Sequence, residues 1–160
     1  MPHRELDKPD TTAARDHVDE GVVRGLMGYN VKRAYLVLHA AARQAAAEFD
    51  LRIPTFSCLS VIVRNPGISP SALAELLKIE RSNLVVMVDE LETRELVSRT
   101  QMKSDRRRFE LKATVRGRRL HDKAVEAIAA AEAACLTALE DEEQQLLLTL
   151  LNRIESSMAD

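Results

Sequence analysis

The chain has 160 residues, enough for one domain with a real core and too few for two generous ones. With 46% apolar and 30% charged residues it is globular in composition, and three Phe, two Tyr and no Trp beside abundant Ala and Leu disfavour an all-β fold. A net charge of -2 excludes any argument for nucleic-acid binding from overall basicity, so that case rests on where the charge sits.

Residues 1–18 mix charge, Pro and Thr without periodicity and are expected to form a mobile tail. From 19 to 49 the spacing predicts one long helix. Leu26, Met27, Ala34, Val37, Leu38, Ala41 and Ala45 fall on one side of it, and Lys32, Tyr35, His39 and Arg43 on the other. At 1.5 Å per residue such a helix spans roughly 45 Å, longer than a small domain is wide, so its apolar stripe calls for a second chain. Pro54 opens a short helix to 63, which Asn65-Pro66-Gly67 stops with turn chemistry. Ser69 as N-cap and Pro70 in the first turn begin another, to 77. After a link at 78–80 comes a helix over 81–94, with Leu84, Met87, Val88 and Leu91 inward. Two short helices joined by a tight turn make a helix-turn-helix.

Residues 96–100 and 109–113 are candidate strands bridged by the polar stretch 101–108, a hairpin that forms a wing. Thr114 caps a long helix to 139, and Asp141 caps a last one through 158, with Leu146, Leu147, Leu150 and Ile154 inward. The expected fold is therefore mainly α with a small β-wing. A winged helix-turn-helix at 54–113 stands between dimerisation helices at 19–53 and 114–160. Basic residues crowd the wing and the start of the next helix: Arg99, Lys103, Arg106, Arg107, Arg108, Lys112, Arg116, Arg118 and Arg119, against Asp105 and Glu110. Cys58 and Cys135 lie far apart, and His3, His17, His39 and His121 are scattered without ligand spacing, so neither a disulfide framework nor a metal site is expected. No apolar run approaches the ~20 residues that cross a bilayer, and the expected location is cytoplasmic, without membrane contact.

The stretch Ile68-Ser69-Pro70-Ser71-Ala72-Leu73-Ala74-Glu75-Leu76-Leu77, then Arg81-Ser82-Asn83-Leu84 and Val88-Asp89-Glu90-Leu91-Glu92, resembles the helix-turn-helix of the MarR family. Leu96-Val97-Ser98-Arg99, Asp105-Arg106-Arg107 and Thr114-Val115-Arg116-Gly117 resemble that family's strand, its Asp-x-Arg wing motif and its Leu-Thr-x-x-Gly helix start, in order and approximate spacing. Two positions depart: Glu95 stands where the family usually has Gly, and Ala113 where it usually has Leu. The resemblance implies a homodimeric transcription repressor, without cofactor, that reads a pseudo-palindromic double-stranded DNA operator. Gly28-Tyr29-Asn30-Val31-Lys32-Arg33-Ala34 is similar to a subgroup responding to aromatic acids or their CoA thioesters. An enzyme is not expected, because no nucleophile–base pair, glycine-rich phosphate loop or metal cluster appears.

On the 81–94 helix the apolar face leaves Arg81, Ser82, Asn83, Val85 and Val86 for a major groove. Ser82 and Asn83 suit base edges or phosphates, and the valines suit thymine methyls. Arg106 and Arg107 suit the negative potential of a minor groove. Asp105 beside them either orients an Arg or is an ordinary turn residue. Arg99, Lys103 and Ser71 are further candidates for phosphate contact. The candidate effector-binding residues are Met27, Asn30, Arg33, Ala34, Val37, Phe56 and Cys58. Asn30, a polar residue on an apolar stripe, takes its hydrogen bond from inside the dimer or from a ligand. Arg33 pairs with an effector carboxylate or CoA phosphate, or forms a plain surface ion pair. Cys58 is either a small buried apolar residue or the thiol of an alternative, redox-switched regulator, while Cys135 in its Ala-rich helix is expected to be buried.

Overall fold

The computed structural model describes residues 20–101 and 108–157. It divides into two compact units, Met1–Ala34 and Tyr35–Asp160. In the first, the single helix expected from residue 19 is broken. A 3-10 turn occupies Gly21–Gly25, Leu26 is extended, and α1 (Met27–Ala47) begins only after it. Glycine frames the turn at both ends, and Gly21 takes a φ of 56°, which an L side chain resists. The Asn30 side-chain amide donates across the break, to Arg24 O at 2.9 Å and to Leu26 O at 2.8 Å. Within this chain the Asn30 amide is thus held by the backbone of the preceding turn.

The second unit is built on helices whose apolar residues recur every three or four positions. α2 (Ile53–Arg64) buries Thr55, Cys58, Leu59 and Ile62, and α3 (Pro70–Leu76) buries Leu73 and Ala74. α4 (Arg81–Thr93) buries Leu84, Met87, Val88 and Leu91, the face expected from its spacing. Strands β1 (Val97–Gln101) and β2 (Phe109–Ala113) pair antiparallel, Val97 opposite Ala113 and Gln101 opposite Phe109. Ile68 adds a bridge to Leu111, which ties the turn before α3 to the wing. Leu59, Ile62, Leu73, Leu84, Leu91, Leu96 and Leu111 close the core between these elements.

α5 (Val115–Cys135) starts on a crowded junction. Thr114 Oγ1 accepts from the Gly117 amide at 2.9 Å, a side-chain N-cap, and its own hydroxyl donates to Glu95 O at 2.7 Å. A Cβ on Gly117 would lie 2.0 Å from Leu96 O, so the chain can cross here only without a side chain. α5 ends at Cys135, four residues before the expected position, in a turn closed by Leu136 N to Ala133 O. Cys135 is exposed there, contrary to expectation. The last helix, α6 (Asp141–Ser156), has Glu140 rather than Asp141 at its N-cap, because the Glu143 carboxylate reaches back to the Glu140 amide at 2.9 Å. Leu146, Leu147, Leu150 and Ile154, expected inward, stand exposed on this chain.

α1, α3 and α4 leave by the same route. Asp50, Lys78 and Glu95 sit at φ 53°, 52° and 57°, and the next residue, Leu51, Ile79 or Leu96, donates back to Ala46 O, Ala74 O or Leu91 O. This is a Schellman exit, usually made with glycine, here made three times with a charged side chain in the left-handed position.

Candidate nucleic-acid interface

The rotation of α4 is fixed by its buried face, and what remains outside is the set that the sequence singled out. Arg81, Ser82 and Asn83 are exposed on its first turn, and Val85 and Val86 are 49% and 61% exposed just beyond. Residue 80, the N-cap, makes no side-chain bond to the helix, so the first amides of α4 are left to solvent or to an anion. Ser71 of α3 joins Lys78, Arg81 and Ser82 around a cleft of about 690 Å³. The same Ser71 lines a second cleft, of about 270 Å³, with Arg108 and Phe109 at the start of β2. α3, α4 and the wing thus converge on one polar surface. Lys103, Asp105, Arg106 and Arg107 lie outside the described residues.

Arg99 has a different setting from the one expected. Its guanidinium pairs with Asp89, and its Nε lies 3.4 Å from the Glu92 carboxylate, with the side chain only 25% exposed. That Nε makes no hydrogen bond. The pairing ties β1 to α4 and masks two carboxylates on the helix that carries Ser82 and Asn83. A second tie anchors α4 at its other flank, where Arg52 meets Glu90 at 2.8 Å and Arg94 donates to Asp50 O at 2.6 Å and Phe49 O at 2.9 Å. None of these pairings carries a sequence signal, because each joins residues seven to forty-five apart.

The effector candidates are placed less uniformly. In the first unit Met27 is exposed and Arg33 lies 3.7 Å from Glu20, an open ion pair. Glu20 also accepts from the Tyr29 hydroxyl at 2.9 Å, and that bond, with Arg24 and Arg33 nearby, holds its carboxyl below the usual range. Ala34 and Val37 are exposed on α1. In the second unit Phe56 is half-buried and stacks on His121 with ring centres 5.9 Å apart, a pair the sequence did not reveal. Cys58 is wholly buried, its Sγ 3.8 Å from Met87 Sδ, and burial pushes its thiol up to about 11. A thiol so placed is a poor nucleophile, which weighs against the redox alternative.

A model of the MarR family matches residues 51–109, the span from the start of α2 into the wing. Among relatives, the HTH-type transcriptional repressor Rv2887 of Mycobacterium tuberculosis is 28% identical over 81% of this chain and 94% of its own. Among solved structures, the transcriptional repressor CouR bound to a 23-mer DNA duplex superposes with a TM-score of 0.81 and 33% identity, covering 86% of this chain and 98% of that one. CouR from Rhodococcus jostii RHA1 bound to p-coumaroyl-CoA matches with a TM-score of 0.66 and 27% identity, over 82% of this chain and 87% of that one.

Proposed function

The chain belongs to the MarR family of DNA-binding transcription regulators, and we propose that it is a homodimeric repressor released from a pseudo-palindromic operator by an aromatic acid or its CoA thioester. The observation that carries the DNA half of this reading is the division of α4. Leu84, Met87, Val88 and Leu91 hold it to the core, while Arg81, Ser82, Asn83, Val85 and Val86 are exposed on the outside of a single helix, the element a major groove admits. Arg99, paired with Asp89 and close to Glu92, offsets part of the negative charge on that helix that would repel phosphate.

The dimer is supported by α6, whose leucines are left exposed on this chain. The effector class is supported by the p-coumaroyl-CoA bound to the related CouR. Release requires the effector to bind the two states unequally. A coupling of about 1–3 kcal/mol would change operator affinity 5- to 150-fold. The chain is read as a regulator and not an enzyme, as its family is.

The test is a gel-shift titration on DNA from upstream of the protein's own gene, with aromatic acids and their CoA thioesters added singly. Competitor-resistant binding relieved by one compound supports the reading. Absence of specific binding overturns it.

A further inference from the structure

On the flank of α5 a groove of about 570 Å³ is lined by Phe49, Val115, Arg116, Arg119, Leu120 and Lys123. The size is that of a small-molecule site. Its walls are of two kinds. Phe49 and Leu120 are half-buried against the core and give an apolar floor, and Arg94 donates to the Phe49 backbone carbonyl at 2.9 Å. Arg116, Arg119 and Lys123 line the groove at i, i+3 and i+7, one stripe of like charge about 10 Å long at 1.5 Å per residue. Neighbours at i+3 and i+4 with the same sign destabilise a helix, so the stripe has no structural benefit of its own. Arg116 meets Glu95 at 3.3 Å, and Asp122 is turned to His121 at 3.1 Å. Among the described residues Arg119 and Lys123 have no ion pair.

We propose that this groove is a small-molecule site distinct from the DNA-reading face, for an organic anion that carries a flat ring and two or more linked phosphates. The ring packs on Phe49 and the phosphates run along Arg116, Arg119 and Lys123, whose spacing suits an extended polyanion better than a lone carboxylate. A DNA backbone fits less well. Glu95 and Arg116 lie past the C-terminal end of α4, roughly 20 Å along the helix from Arg81, where the reading face begins. Free nucleoside diphosphates and the nucleotide head of coenzyme A share the required chemistry. The binding step does not rest on the effector assignment.

The experiment is calorimetric titration of the full-length protein with ADP, coenzyme A and inorganic pyrophosphate, with operator binding measured in parallel. Saturable nucleotide binding is expected, weakened roughly 10-fold or more in the Arg119→Glu/Lys123→Glu variant, since each phosphate loses a charged partner. The Arg119→Gln/Lys123→Gln variant should weaken it in the same direction, and Phe49→Leu should weaken ADP but not pyrophosphate. ADP binding as tightly as coenzyme A assigns the groove to a free nucleotide; a preference for coenzyme A assigns it to the phosphorylated head group. The proposal is overturned if none of the three probes saturates, or if the charge-reversed variant binds them undiminished. It is also overturned if that variant loses operator affinity without any nucleotide present, which would make the stripe a DNA contact. Intact operator binding with no nucleotide binding would remove the groove and leave the regulator standing.

Discussion

Arg99 separates two roles that look alike in a sequence. A basic residue ending a wing strand suggests phosphate contact, yet its guanidinium here faces Asp89 and Glu92. Replacing it by Met would leave both carboxylates unmasked on the reading helix, and we expect operator affinity to fall about 5- to 10-fold by gel shift, from repulsion of phosphate. If repulsion is the cause, Asp89→Asn with Glu92→Gln in the Arg99→Met background should restore most of the loss. A direct phosphate contact would not be restored. Asn83→Ala, by contrast, should relax base preference at one position of each half-site, and an equal loss on every sequence would make Asn83 a backbone contact. The two cysteines should also differ. Cys58 is buried and its thiol is raised, while Cys135 is exposed, so a thiol reagent at neutral pH should modify Cys135 in the native protein and Cys58 only after unfolding. The raised thiol has a matching consequence for stability. Its contribution is present below the ordinary thiol value of 9.0 and is lost as pH climbs toward about 11.

The elements are joined at exits that ask for glycine and do not contain it. At Glu95 the left-handed backbone costs an L residue about 1–2 kcal/mol, offset in part by the buried Leu96 next to it and by nothing that the exposed Glu95–Arg116 pair reliably adds. Glu95→Gly should therefore stabilise the chain by about 0.5–1 kcal/mol in urea denaturation, the gain being reduced by the added freedom of glycine when unfolded. At Gly117 the constraint is reversed. Gly117→Ala would press a methyl into Leu96 O, and the helix start would have to move off the wing, with a loss of several kcal/mol or failure to fold. Elements differ in how far a sequence exposes them. The inward face of α4 is legible from periodicity, and the wing from alternating strands around a polar tip, because both signals are local. The α6 leucines have the spacing of an inward face and are exposed, since the same spacing serves a chain's own core or another chain's. The break at Leu26 escapes periodicity because a helix-compatible stripe continues through it, and only the glycines at 21 and 25 carry a warning. Arg99, Arg94 and Arg52 find their partners through tertiary packing, which no local pattern encodes.

At the scale of the whole molecule the exposed apolar surface requires an explanation that one chain does not supply. Leu146, Leu147, Leu148, Leu150, Leu151 and Ile154 stand out along α6, with Leu146 58% and Ile154 55% exposed, and in α1 Tyr35, Leu36 and Val37 are exposed as well. Monomers seldom present apolar patches of more than a few hundred Å². A two-fold dimer covers such a surface with the same patch of a second copy, and it also sets two reading helices about one DNA turn, ~34 Å, apart. Light scattering should accordingly give twice the chain mass of 17.9 kDa for the native protein. Leu147→Glu with Leu150→Glu places two charges in that contact, and the variant should approach the monomer mass while a core-directed probe such as the Cys58 thiol stays protected. Its affinity for a full operator should then fall toward that for a single half-site, because the second half-site no longer binds at the high effective concentration that a joined pair provides. A variant that stays dimeric would place the interface elsewhere. One that becomes monomeric yet binds the operator undiminished would show that a single winged helix is the reading unit.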